Sequence, residues 1–429
     1  MRRIFIFILL FPFIVSAQQQ LTLKNVIDTT LKNSFDIRIA ENNVNIAKAY
    51  NKTGVAGGLP VIGATASDNG SLTNSYNKNS SGTVSELNNV TGNSVNAGIT
   101  AGIVLFNGYR ITATKERLSL LQKQNEYYLN QEIQTALSNV MIQYYDIIRQ
   151  QYYVKIMQQL LDVSNKKLDI INTKKDVGMA DGIDILQAQM DVNTAKENLR
   201  MQQLVTDQSK ADLLQLMSAK SQYSFTINDS IVVNRSLIFD SVQKSIIHNP
   251  LYLSAVQQVL INQQLVREVS SQRYPSVRLS ASYNFGQSDF SAGQYLMNQV
   301  YGPSAMLSLA IPIYNGGAYK AQHTVAKLNL NNAQLQEESM MTAMKTFAFK
   351  TFQSYTTNLT QLEEQQKSYE MAKQLLDLVM QSFQVNQATI LEVKAAQTSF
   401  ETAGYMLVNL QYAAKVSEIQ LLSLMYKLK

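Results

Sequence analysis

The chain contains no cysteine and no tryptophan, and only two histidines and six prolines among 429 residues. Without cysteine there is no disulfide framework, no thiolate nucleophile and no cysteine-ligated zinc or iron–sulfur cluster. His248 and His323 alone cannot build a histidine-rich metal site, and no Ser/His/acid set stands out. A Gly-rich phosphate loop and an HExxH motif are missing too, so the residues offer no constellation for an enzyme or a bound cofactor. Charge is also scarce: Asp, Glu, Lys and Arg make up 16% of residues, against roughly 25% in an ordinary soluble domain. Lys and Arg outnumber Asp and Glu by 37 to 31, yet no basic run exists that could track phosphates, which argues against nucleic acid as a partner.

Residues 1–17 read as a targeting segment. Met1-Arg2-Arg3 is basic, Ile4 to Val15 is almost unbroken apolar sequence, and Val15-Ser16-Ala17 offers small residues where a signal peptidase cuts. About twelve apolar residues are too few to span a bilayer, so the expected mature chain starts near Gln18. Loss of Arg2 and Arg3 takes the net charge from +6 to +4. Beyond this segment no apolar stretch approaches the roughly eighteen residues of a transmembrane helix.

What is present begins with long helices. Glycine clusters between Gly54 and Gly108, is then missing until Gly178, and proline is missing from Val61 through Asn249 and again after Pro312. Because Gly and Pro stop helices, the segments Gly108–Gly178 and Gly316–Asn386 can each form one rod about 100 Å long at 1.5 Å per residue. Ile133, Val140, Ile147, Val154, Leu161 and Leu168 recur every seven residues, as do Met341, Ala348, Tyr355, Leu362, Tyr369 and Leu376. A seven-residue period asks helices to supercoil against neighbours.

The two rods belong to an internal repeat. Asn107-Gly108 and Asn315-Gly316 lie 208 positions apart, as do Asp184-Ile185 and Glu392-Val393, while Leu21, Val26, Leu31 and Asn33 match Leu237, Val242, Ile247 and Asn249 at a shift of 216. The expected organisation is therefore a tandem duplication, with a first repeat over residues 18–223 and a second over 224–429.

Each repeat also carries period-two segments. Val277, Leu279, Ala281, Tyr283 and Phe285 alternate with Ser276, Arg278, Ser280, Ser282 and Asn284; Ala305, Leu307, Leu309, Ile311 and Ile313 alternate with Ser304, Met306 and Ser308. Val95 to Leu105 alternates in the same way, and Leu59 to Asp68 does so weakly, with an expected polar loop from Asn69 to Asn93 between them. Strands of a soluble sandwich would share this pattern, but about ten alternating residues also suit a membrane β-barrel strand. Four strands cannot close a barrel, for which about eight are the practical minimum. Closure needs several chains, and three would supply twelve strands.

The order helix, strand, strand, very long helix, turn, helix, made twice, resembles the TolC-type outer-membrane efflux protein family. Leu21-Thr22-Leu23 through Asn33 is similar to the family's opening helix, and Leu59-Pro60 and Tyr274-Pro275-Ser276 to its entry into the first strand. Leu105-Phe106-Asn107-Gly108 and Ile311-Pro312-Ile313-Tyr314-Asn315-Gly316-Gly317 resemble its strand-to-helix signature, and Val177-Gly178 followed by Ile183 through Gln189 its helix-turn element. The resemblance implies an α+β membrane protein: a long coiled-coil helical barrel, with four β-strands per chain contributing to a 12-stranded trimeric transmembrane β-barrel. It implies a homotrimer in outer-membrane lipid, extending into the periplasm and joined through a periplasmic adaptor (membrane fusion protein) to an inner-membrane RND or ABC-type pump. Its function would be that of a passive exit duct for efflux or type I secretion.

By the same resemblance the periplasmic entrance closes where the helices turn, at Val177-Gly178 and Val385-Asn386, with Asn386 replacing the family's Gly. Asp184 and Glu392 match positions where the family places entrance carboxylates; in a trimer each would form a ring of three charges attractive to cations. They are equally well read as ordinary acids in the first turn of a helix, favoured by its dipole. Phe383 and Ala388 stand where the family has Tyr and Arg contacts, and Ala395 replaces a further acid. Many relatives carry a lipidated N-terminal Cys; this chain resembles the branch without it. The competing functional expectation is a secreted coiled-coil structural or adhesive protein whose strands form a soluble cap.

Overall fold

The computed structural model describes residues 19–219 and 225–428. The expected signal segment 1–17 and the expected repeat boundary at 223/224 lie outside the described residues. In chain order the elements are β1 (Gln19–Gln20), α1 (Leu23–Asn33), α2 (Phe35–Tyr50), β2 (Val61–Lys78), β3 (Val84–Phe106), α3 (Arg110–Asp176), α4 (Gly182–Leu216), β4 (Phe225–Thr226), α5 (Phe239–Ser245), α6 (Pro250–Ser270), β5 (Ser276–Phe290), β6 (Met297–Ala310), α7 (Ala318–Gln384) and α8 (Ile390–Leu424).

The glycine- and proline-free segments are single helices. Both α3 and α7 have 67 residues, and both α4 and α8 have 35. The first residues of α7 and α8 each lie 208 positions after those of α3 and α4. Of the expected seam, Val140, Ile147, Ala348, Tyr355 and Leu376 are buried, and the other seven positions are partly buried. The opening helix of each repeat is split rather than continuous. Ser34 takes an extended ψ of 126° between α1 and α2, and Asn249, driven out of helical geometry by the following Pro250, has ψ 129°.

Two compact units emerge. One joins the described residues up to Glu41 with Leu129–Pro250 and the chain from Met341. Its core packs Leu137, Val140, Tyr144 and Ile148 of α3 with Leu213 of α4, Ile419 of α8 and Val26 of α1. Here β1 pairs in parallel with β4, and the Tyr144 hydroxyl donates to the Asp229 carboxylate. The other unit, Asn42–Tyr128 with Leu251–Met340, holds the four-stranded antiparallel sheet of order β2-β3-β5-β6. In it, Arg117 of α3 pairs with Glu268 of α6 at 2.6 Å.

The strands depart from expectation in length. The segment expected as a loop, Asn69 to Asn93, is mostly paired: β2 continues to Lys78 and β3 begins at Val84, leaving a turn at Asn79–Thr83 closed by hydrogen bonds of 2.9 and 3.0 Å. Ser, Thr and Asn on both faces hide a ribbon from any search for apolar alternation. Conversely β6 ends at Ala310, so Ile311 and Ile313 lie past the strand.

Candidate functional site

The first candidate region lies at the helix turns. α3 stops at Gly178, whose φ of +75° suits glycine; the Gly178 N–H donates to Lys175 O at 2.9 Å and the Met179 N–H to Lys174 O at 2.7 Å, the paired bonds of a Schellman end. In the second repeat Asn386 takes φ +62°, and the N–H groups of Asn386 and Gln387 reach Phe383 O and Ser382 O at 3.3 and 2.8 Å. Asn, whose short polar side chain tolerates left-handed geometry, thus performs the glycine's backbone task. Val177 and Val385 are both exposed beside these turns.

Asp184 and Glu392 each sit three residues after an N-cap. The Asp181 carboxylate accepts from the Ile183 and Asp184 N–H groups at 2.8 and 2.9 Å, and Asp184 accepts in return from the Asp181 N–H at 3.4 Å. Thr389 Oγ1 accepts from the Glu392 N–H at 3.2 Å while Glu392 accepts from the Thr389 N–H at 2.7 Å and hydroxyl at 3.0 Å. These are capping boxes, which satisfy otherwise orphaned helix donors. The Thr389 N–H, and then its hydroxyl, hold the Glu392 carboxyl below the usual carboxylate range.

Phe383 is 3% exposed and forms a small core with Ile171, Ala188 and Val393, against which Ala388 packs. Lys174 donates to Phe383 O at 2.6 Å and lies 3.9 Å from the centre of its ring, a cation–π arrangement. Burial lowers the Lys174 ammonium from its ordinary value, opposed by the nearby Asp184 carboxylate. Asn386 Nδ2 approaches Met179 Sδ at 3.9 Å. The ends of the two long helices are therefore tied by Lys174 and Met179, which sequence reasoning did not single out.

The strand-to-helix junctions share a geometry. Gly108 and Gly316 have φ +67° and +68°, followed by Tyr109 at +65° and Gly317 at +82°. Asn107 Oδ1 and Asn315 Oδ1 accept from the N–H groups of Ile111 at 3.3 Å and Tyr319 at 3.4 Å, capping α3 and α7. A Cβ on Gly108 would fall 2.7 Å from Ser271 O, whereas at Gly316 it would meet nothing within 4 Å.

The second candidate region is the sheet, whose register gives it two unlike faces. On one, rows such as Ile103–Leu279–Leu307 and Ala97–Phe285–Tyr301 stack side by side. From Val277 to Phe285 this face holds five apolar rows, about 27 Å along the strand at 3.4 Å per residue, close to the roughly 25 Å apolar band of a membrane barrel. On the other face run Gly63–Thr100–Ser282–Ser304 and Thr65–Gly98–Asn284–Gly302. Leu307 and Leu309 are more than 60% exposed, a contiguous uncovered apolar surface of a kind that soluble proteins avoid. No helix among the described residues is long and apolar enough to cross a membrane, and among those residues no group of three or more His, Asp or Glu could hold a metal.

A sheet with one exposed apolar face and a 67-residue helix in each repeat are the features of a channel-type membrane protein. The outer membrane efflux protein family profile matches residues 26–219 and, a second time, 242–425. Outer membrane protein TolC of Escherichia coli is 20% identical over 355 residues, covering 79% of this chain and 70% of that protein. The outer membrane protein VceC of Vibrio cholerae superposes with a TM-score of 0.76 at 18% identity over 94% of this chain and 95% of that one. The Campylobacter jejuni CmeC outer membrane channel gives 0.77 at 15% identity over 95% and 86%. The chain belongs to the outer membrane efflux protein family: it is a duplicated outer-membrane efflux channel protein, not an enzyme.

Proposed function

We propose that three copies close a twelve-stranded barrel in the outer membrane, and that their helices form a periplasmic passage. Through it a substrate leaves passively from an inner-membrane RND or ABC-type pump, by way of a periplasmic adaptor. The observation that carries this reading is the open sheet: among the described residues β2 and β6 are edges without partners, while on this reading the sheet presents its apolar face to lipid. In hydrocarbon every backbone N–H and C=O must be paired, so the β6 edge of one copy is satisfied by the β2 edge of the next. The exposed Ile183, Leu186, Met190 and Met201 on α4 support cover by neighbouring chains on the helical part as well. On this reading residues 1–17 direct export and are removed, and the repeats divide as 18–223 and 224–429. Val177, Gly178, Val385, Asn386 and Phe383 then surround the entrance, with Asp184 and Glu392 beside it.

Negative-stain microscopy of the detergent-extracted, full-length protein tests the assembly. A three-fold particle with a rod of about 100 Å, as the helical rise requires, is the expected image. A monomeric particle, or recovery only from the soluble fraction, would overturn the barrel in favour of a secreted coiled-coil protein.

A further inference from the structure

We infer that Arg278 is the charge-selecting residue of the barrel, forming in the closed trimer a ring of three guanidinium groups that admits anionic solutes and holds back cations. The inference rests on the trimeric reading above. Arg278 occupies β5 two residues from its start, at the end of the sheet where the chain arrives from α6, in the row Val104–Arg278–Ser308. Parity puts it on the face of Ser280, Ser282 and Asn284, away from Leu279 and Tyr283. Across the four-stranded rows that face carries no other ionisable residue: its positions are otherwise Ser, Thr, Asn, Gly and a few small or apolar side chains.

The site is open and unneutralised. Among the described residues no ion pair or hydrogen bond engages the Arg278 guanidinium, and the residue is exposed. A Cβ added at Gly63, Gly102 or Gly302 on the same face would meet nothing within 4 Å, so Arg278 is the long, charged reach into a space floored by small residues. A neighbouring copy supplies the same four strands and hence no carboxylate on this face. The alternation of β5 needs only a polar residue here, as Ser276 and Ser280 on either side demonstrate, so pairing and folding do not account for a guanidinium. Placed on a wall backed by lipid, three unpaired cations raise the local concentration of anions, the role that Arg rings play in anion-preferring pores. A guanidinium stays charged throughout the physiological range, which makes the contribution of this ring, as distinct from that of the entrance carboxylates, independent of pH.

Planar-bilayer recording of the purified protein in about 0.1 M KCl, where the Debye length is about 10 Å, provides the test. Relative to wild type, the K+/Cl− permeability ratio is expected to rise about threefold in Arg278→Gln and further in Arg278→Glu, and to stay put in Arg278→Lys. Normal conductance steps with an unchanged ratio in both Gln and Glu variants would overturn the role of Arg278. Absence of steps with the wild-type protein would instead refute the barrel itself. Should the variants fail to insert, the wild-type channel still decides: inorganic triphosphate must reduce its conductance in about 0.1 M KCl and lose that effect in about 1 M, where screening shortens to about 3 Å. No block at low salt would overturn the inference.

Discussion

In the first repeat the strands run for 18 and 23 residues, and in the second for 15 and 14. The helices that follow have the same lengths in both, 67 and then 35 residues. The helices touch at their far ends through Lys174 with Phe383 and Asn386 with Met179, so a residue inserted in one long helix alone would displace its turn by 1.5 Å and 100°. The hairpin tip at Asn79–Thr83 meets no such partner among the described residues. Length is therefore fixed where two repeats must stay in step, and free where one repeat ends alone.

The largest expected effect breaks the symmetry of the helices. Lys167 on α3 is fully buried against Asp191 of α4, whereas the positions 208 residues later are Leu375 and Ser399. Asp191→Ala leaves a buried ammonium unpaired and is expected to destabilise by about 3–5 kcal/mol, while Ser399→Ala changes little. Thermal unfolding followed by circular dichroism compares them, and equal losses would contradict an asymmetric pairing of the two hairpins. Next comes the strand contrast. Leu307→Arg or Leu309→Arg places charge on the apolar face, at about 2–4 kcal/mol near mid-bilayer, but Asn77→Arg in the extended ribbon leaves membrane assembly intact. Outer-membrane recovery on gels reads both; normal insertion of the Leu variants would reverse the assignment of faces.

The junctions sharpen the comparison further. Gly316→Ala meets only the backbone penalty of a positive φ, about 1–2 kcal/mol, while Gly108→Ala adds the collision with Ser271 O and is expected to lose more, as measured by the heat needed to dissociate the assembly. At the turns, Thr389→Ala and Asp181→Ala each remove one N-cap and lower stability by about 1 kcal/mol; a markedly larger loss in either would mean that the cap also serves the entrance. The smallest effect depends on pH. Because the folded Glu392 carboxyl titrates below its ordinary range, its contribution is complete above that range and fades as pH falls through it. The melting-temperature gap between wild type and Glu392→Gln should close on acidification, and a gap that widens would contradict the hydrogen bonds from Thr389.

Much of this architecture is written in local pattern. The seven-residue seams from Ile133 and from Met341 and the alternation from Ser276 to Phe285 come from elements with one apolar and one polar side, a contrast that hydropathy records directly. Where both sides meet the same surroundings the pattern vanishes, which is why the ribbon around Asn69–Asn93 reads as a loop. The breaks at Ser34 and Asn249 were harder still, since a single ψ change alters no periodicity, although Pro250 was a local clue. Asp184 and Glu392 were legible as acids, but their capping role depends on what stands three residues earlier, Asp181 and Thr389. Lys174 and Met179 depend on which two turns meet, a fact of tertiary structure.

The two bare edges have a further consequence, for the time course of assembly. A freshly exported chain holds a sheet whose sides are templates for any extended strand, its own kind included. On the proposed trimeric reading those edges are filled only on meeting other copies, so maturation rate would depend on local chain concentration and sparse chains would remain the sticky, degradable species. The glycines and serines of β2, weak in strand propensity, slow wrong pairing during that wait, which makes the blandest strand of the sheet the one that guards the chain before it becomes a channel.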